Sequence, residues 1–385
     1  MKRFLALILA LLMAVGMFAA CTAVEPEIPE SQTKEDTEKE MKKETADSDN
    51  EGSSNNGGNS DFISTDIYTR EGNKILFGLY PQSEVTKESL ISTLNSKTGE
   101  LPTSDNAQAW TSYGYYISGS ESNFMWYIDI EEDGERYRGV YFNSFRPYNT
   151  DFQSFADNSY QDEYVYTTSV VYWFKYEHIS WTILNENSTD KTALILCDMI
   201  IDAQAYQDVD EYNNNTGKHY NTSTGVPDET YANNYAYSTI RKWLNEIFYT
   251  TAFNELQKRI ILTTTVDNGV ASTCHEMNGY VCENTQDKIF LLSAQETTNT
   301  TYGFASSTST YDTARRKKMT DYAKVQGAYT SKSADYAGNG RWWLRSPDIF
   351  SSAYAHEIYD RGDVTGNSVT YSFNGVVPAL QIRLS

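Results

Sequence analysis

The sequence predicts an α+β fold, mostly antiparallel β-structure around a central pair of helices, behind a disordered N-terminal tether. Three observations carry this. After residue 61, runs of aromatic and β-branched residues alternate with Gly, Asn and Asp turn signals. One stretch alone spaces its apolar residues with a helical period. Residues 22–60 hold almost no large apolar side chains, carry eleven acidic residues against four basic ones, and close on GSSNNGGNS. Burial in such a stretch does not offset the entropy of ordering it.

In chain order, KILFGLYPQSEV (74–85) reads as a strand stopped by Pro81. FMWYIDI (124–130) and ERYRGVYF (135–142) flank Asp133 and Gly134, the signal of a tight hairpin. VYWFKYEHISWTIL (171–184) and TALILCDMII (192–201) follow as two more strands, and 203–237 reads as polar loops. Ser238 is placed to cap a helix in which Ile240, Trp243, Leu244 and Ile247 share one face at i, i+3, i+4 and i+7. AFNELQKRII supplies the second helix, and KIFLLSAQE (288–296) reads as a buried strand. Residues 298–340 read as irregular, RWWLRSP (341–347) as a strand closed by Pro347, and the remainder as hairpins with Gly turns.

Composition narrows the function. With 31 Lys and Arg against 52 Asp and Glu, the chain has a formal charge of −21. That is the wrong sign for displacing counterions from nucleic acid. Lys2 and Arg3 precede fifteen apolar residues, 4–18. A spanning helix needs about 20, so the segment fits a secretory signal. Ala19 and Ala20 before Cys21 resemble a bacterial lipobox, with Phe18 where Leu is usual. The expected division is therefore residues 1–20 as lipoprotein signal peptide, 21–60 as lipidated Cys21 with its acidic linker, and 61–385 as one extracytoplasmic α+β domain. The expected address is the outer face of the bacterial cell membrane, held by lipid on Cys21, with more than one acyl chain needed for a stable anchor.

The other cysteines are Cys197, Cys274 and Cys282. Cys197 lies in an apolar run and reads as a small buried hydrophobe. Cys274 and Cys282 bracket a turn at Asn278 and Gly279, which allows a disulfide in an oxidising compartment. A zinc site on Cys274, His275 and Cys282 lacks a fourth ligand at recognisable spacing, and neither metal nor cofactor is predicted. Arg361, Gly362 and Asp363 spell an integrin-type tripeptide, which a hairpin turn explains more simply. In a strand, Arg341, Trp343 and Arg345 share one face and Trp342, Leu344 and Ser346 the other. The candidate ligand site is Trp343 for stacking and Arg345 for anchoring, with His356, Glu357 and Asp360 across the next hairpin. Glu357, Asp360 and Asp363 also offer a carboxylate pair for a hydrolase, which needs a separation of about 5–9 Å.

FGLYPQS, DGERYRGVYF, VYWFKYEHISWTIL, STIRKWLNEIFYTTAF, DKIFLLS, GNGRWWLRSP and GVVPALQIRL together resemble the bacterial domain of unknown function 6273 family, over about residues 74–385. The family's usual ending resembles GVRPAL, with Val377 here in place of Arg. The resemblance implies a secreted or membrane-tethered protein and attaches no activity. The layout also resembles the C-type-lectin-like fold of the formylglycine-generating-enzyme group, whose late reactive cysteines have no counterpart after Cys282. With no catalytic motif, the expected function is a lipid-anchored surface module binding a glycan, a peptide or a protein partner. The alternative is an extracytoplasmic carboxylate-dependent hydrolase acting on wall or glycan substrates.

Overall fold

Trp181 sits on the longest strand with no exposed surface, and its indole N–H donates to the Phe77 carbonyl at 2.8 Å. The computed structural model describes residues 67–113, 124–148 and 159–384, so the leader, Cys21 and the acidic stretch lie outside the described residues. The strands are β1 (Thr69–Glu71), β2 (Lys74–Glu84), β3 (Thr111–Ser112), β4 (Met125–Glu132), β5 (Glu135–Phe142), β6 (Val171–Asn187), β7 (Thr192–Cys197) and β8 (Asp202–Ala203). They continue with β9 (Glu211–Asn213), β10 (Lys218–Tyr220), β11 (Thr264–Val266), β12 (Thr285–Asp287), β13 (Trp342–Pro347), β14 (Tyr354–Ile358), β15 (Val364–Ser368), β16 (Gly375–Val376) and β17 (Ala379–Arg383). The fold is α+β, as expected.

The first sheet is organised by β6. Its seventeen residues span roughly 55 Å at about 3.3 Å each. β2 follows one edge, with β1 outside it. The other edge is divided: β5, β4 and β3 build out from residues 171–175, while β7 and then β17 build out from residues 181–187. The hairpin between β4 and β5 turns on Asp133 (φ 52°) and Gly134 (φ 79°), the paired left-handed conformation of a two-residue hairpin turn. The second sheet has the order β15-β14-β13-β16-β8, with β13 and β16 parallel and the other pairs antiparallel.

Several expectations change. β2 runs through Pro81, which lies beyond the end of β1 on a stretch of β2 paired along one edge only, an edge position that tolerates proline. β2 bulges at Gly78 (φ 76°), where a Cβ would approach Phe253 Cε1 to 2.7 Å. The polar span 203–237 contains the small hairpin of β9 and β10, and 298–340 contains a helical turn, Asp321–Val325. Residues 288–292 form no ladder strand. They make one bridge to β17, between Phe290 and Ala379, and receive the Arg345 N–H at Leu292 O. β16 and β17 are no hairpin: Val377 and Pro378 carry the chain from the second sheet to the first.

The helical region is one rod made of Thr239–Trp243, a π-turn at Leu244–Phe248, and Tyr249–Ala252. Ser238 caps it by accepting from Arg241 N at 3.3 Å, as expected. The second helix is a single turn, Glu255–Lys258, closed by a capping box between Asn254 and Gln257. Ile240 and Leu244 are buried as expected, whereas Ile247 is 51% exposed and Phe248 is buried in its place. The wider π-turn holds one residue more than an α-turn and moves the core face by one position. Phe248 then meets Tyr80, and Phe253 meets Phe77. Phe248→Ala is expected to lower stability by about 3–5 kcal/mol in urea unfolding, and Ile247→Ala by under about 0.5 kcal/mol. The opposite ranking would put the rod on an uninterrupted α-helical phase.

Candidate ligand-binding cleft

β13 is paired on both edges and covered on both faces, so every one of its residues is buried. Trp343 has no exposed surface: its N–H donates to Gln204 O at 2.8 Å and Tyr206 packs edge-on at 5.6 Å. The stacking role read for it from strand alternation is corrected, since alternation marks an open face only where one side of a sheet is uncovered. Trp342 is equally enclosed, with its N–H on Arg315 O.

Arg345 is enclosed with them. It donates to Glu296 Oε2 at 2.5 Å, to Leu291 O at 2.7 Å, and to Asp267 O from two nitrogens. Burial disfavours its charge, but Glu296 outweighs this and holds the guanidinium above its usual value. Its donors are committed to the fold, which leaves no edge to anchor a ligand.

His356 and Glu357 point to opposite faces of β14. His356 faces Asp348 at 3.7 Å and the His275 ring at 6.0 Å. Glu357, 1% exposed, accepts from Thr365, Asn367 and Asn374, and burial raises its pKa. Asp360, 4% exposed, accepts from Tyr329 Oη at 3.1 Å. Glu357 and Asp360 are brought together through Arg341, whose guanidinium lies 3.9 Å from Glu357 and 4.4 Å over the Tyr329 ring. Asp363 pairs with Arg361 inside the predicted turn, where a Cβ on Gly362 would strike the Asp312 carbonyl. All three carboxylate residues are at most 7% exposed.

Cys274 and Cys282 are not joined. Cys274 donates its thiol hydrogen to Gln295 at 3.0 Å, and Cys282 lies against the backbone of Tyr235 and Ala236, where burial raises its thiol pKa. Asn278 turns the chain by accepting from Tyr280 N and donating to Pro347 O, which separates the segments that a hairpin would pair. Cys197 is buried and its thiol is pushed up to about 12 by desolvation. Among the described residues no group of three metal-ligating side chains occurs.

An open concavity lies elsewhere. A cleft of about 600 Å³ is lined by the polar face of the rod, Arg241, Lys242, Asn245 and Glu246, by the adjoining Asp287 and Lys288, and by residues 223–226. This volume falls within the range of about 300–1,000 Å³ typical of ligand pockets. Arg241 is fixed by Asp287 at 2.7 Å and by Ala236 O. Asn245 is fixed by two accepted and two donated hydrogen bonds. Lys242 and Glu246, both exposed and one turn apart, make no ion pair among the described residues. The cleft thus offers a cation and an anion over a rigid hydrogen-bonded wall. The signal for it was present in the helical period: the polar residues between Ile240, Leu244 and Phe248.

These features define an α+β protein of two sheets with a polar cleft beside its helical rod. The chain belongs to the family described as domain of unknown function DUF6273, whose model matches residues 190–384, from just before β7 to the last described residue. Searches of curated proteins and of solved structures find no match.

Two outcomes test the buried groups. Arg345→Met removes one partner of a buried pair and is expected to cost about 3–5 kcal/mol in urea unfolding; a loss below 1 kcal/mol would contradict its role. His356 has its pKa lowered by burial to about 4, against about 6.5 in the unfolded chain. The unfolded state therefore binds the proton first. The contribution of His356 is complete above about pH 6.5 and falls by up to about 3 kcal/mol towards pH 4. The difference in stability between wild type and His356→Gln, followed from pH 7 to 4, is expected to show this slope.

Proposed function

We propose that the protein is a non-catalytic binding module held on the outer face of a bacterial membrane by acyl chains on Cys21. In this reading residues 1–20 are removed, 22–60 form the spacer, and the folded part presents the cleft to a short peptide carrying both charges. The observation that carries the ligand class is the exposed pair Lys242 and Glu246 at the cleft, neither in an ion pair among the described residues. The charged termini or side chains of a short peptide meet the pair. The burial of Glu357, Asp360 and Asp363 supports binding over carboxylate-dependent hydrolysis. The acidic balance of the chain speaks against a nucleic-acid ligand.

The full chain in detergent, screened on peptide and glycan arrays, is expected to retain short charged peptides. Lys242→Glu should weaken the best of them at least tenfold, about 1.4 kcal/mol, with an unchanged urea midpoint. Retention of glycans alone would remove the peptide assignment. Mass spectrometry of the membrane-extracted protein should find an N-terminal peptide beginning at acylated Cys21; an intact Met1 would remove the anchor.

A further inference from the structure

Outside the cleft, the fold sets one nucleophile directly against one electrophile. The Cys274 thiol donates to Gln295 Oε1 at 3.0 Å, and the amide carbon lies one C=O bond, about 1.23 Å, beyond that oxygen. Both backbones are fixed. Ser272 and Thr273, on the approach to Cys274, are buried, and Thr273 Oγ1 donates to Val270 O and accepts from His275 N. Cys274 itself sits at φ 56°, in the left-handed region that a side chain disfavours. Gln295 N donates to Ser272 O at 3.1 Å, and Gln295 O accepts from Thr298 N and from the Thr298 hydroxyl. The departing side of the amide is unencumbered. Gln295 Nε2 makes no hydrogen bond among the described residues, and Cys274 and Gln295 are both half-buried, within reach of solvent. Arg315 is fully buried, donates to Thr297 O at 2.7 Å, and lies within electrostatic reach of Cys274. A cation beside a thiol favours the thiolate, which is the nucleophilic form.

We infer that Cys274 and Gln295 close an internal thioester, and that this bond captures a primary amine, the chemistry of a lysine side chain. In the closing step Sγ attacks the Gln295 Cδ. The Sγ–Cδ bond forms, the Cδ–Nε2 bond breaks, and the thiol proton leaves with the nitrogen as ammonia. Nothing is oxidised or reduced. Between free molecules an amide does not yield to a thiol, because the amide is the more stable acyl compound. Two groups held in contact react with an effective molarity of about 10⁵–10⁸ M, and ammonia that diffuses away does not reverse the exchange. In the capture step the amine nitrogen attacks Cδ, the Cδ–Sγ bond breaks, and the proton of the amine passes to sulfur. The captured molecule stays on Gln295 through an amide bond, and the thiol is restored. A thioester acylates amines in preference to water or alcohols. The formal charge of −21 draws cationic amines towards the chain, and Glu276 is exposed two residues from Cys274. The inference does not rest on the cleft, since the pair acts by a covalent bond and the cleft by reversible contacts.

The test is peptide mapping of the full chain in detergent, denatured, alkylated with N-ethylmaleimide and digested in mild acid. The peptides holding Cys274 and Gln295 are expected to be joined and together one ammonia lighter than their sequences, with Cys274 unalkylated and Cys197 and Cys282 alkylated. After methylamine treatment before alkylation they should separate, with Gln295 N-methylated and Cys274 alkylated. Glycerol at the same concentration should leave them joined. Cys274→Ser should keep Gln295 as an amide that methylamine does not change, and Gln295→Ala should let Cys274 alkylate without methylamine. In the wild type, an intact Gln295 amide together with a fully alkylated Cys274 would overturn the thioester, an outcome that requires no variant to fold. A joined pair opened by glycerol as readily as by methylamine would overturn the amine assignment.

Discussion

Two sheets that share one core must be joined where neither has a regular edge to offer, and residues 288–294 supply that joint. Phe290 exchanges both backbone hydrogen bonds with Ala379 of the first sheet, and two residues later Leu292 O takes the Arg345 N–H of the second. Ala294 N then donates to Ser346 Oγ. Ile289, Leu291 and Leu292 have no exposed surface, so the joint is also the middle of the core. Arg345 is what makes its polar backbone tolerable there. It gives the Leu291 and Asp267 carbonyls charged donors, and Glu296 balances the charge within the same network. A peptide buried without partners costs about as much as a lost hydrogen bond for each group, and one arginine removes several such losses together.

This arrangement explains which parts of the molecule could be read from sequence. The hairpin at Asp133 and Gly134, the cap at Ser238 and the long strand of residues 171–187 are set by local chemistry, and each appears where the residues indicate. RWWLRS misleads because its alternation is real but irrelevant: with partners on both edges and cover on both faces, β13 has no outer side for Trp343 or Arg345 to occupy. KIFLLS misleads because its apolar residues are buried by two sheets at once, with no single ladder to join. Ile247 and Phe248 exchange places through a turn that propensity does not distinguish from an α-turn. The cleft combines Arg241 and Lys242 with Asp287 and Lys288, and only the first pair lies in a segment whose period exposes it.

The charge distribution follows the same division. Carboxylates at 357, 360 and 363 support tyrosines and arginines from within, where their hydrogen bonds to Asn367, Asn374 and Tyr329 keep them in place. An acidic chain thus shows a ring-and-cation surface on one sheet and an evenly mixed pair of charges at the rod. The family-matched residues from 190 onward contain the second sheet, the rod and the joint. The strands before β7 extend the first sheet and lie outside that match.

Asn245 has a consequence for how the cleft behaves. Its amide receives Lys288 N and Ile289 N and donates to Arg241 O and Ile289 O, which rivets the wall of the concavity to the seam between the sheets. Aspartate lacks the amide donors, and glutamine adds a methylene that displaces them. The rod side of the recess therefore shifts only if that seam shifts with it. On that side the shape is set at the time of folding, and a visitor meets a surface that needs no ordering on arrival.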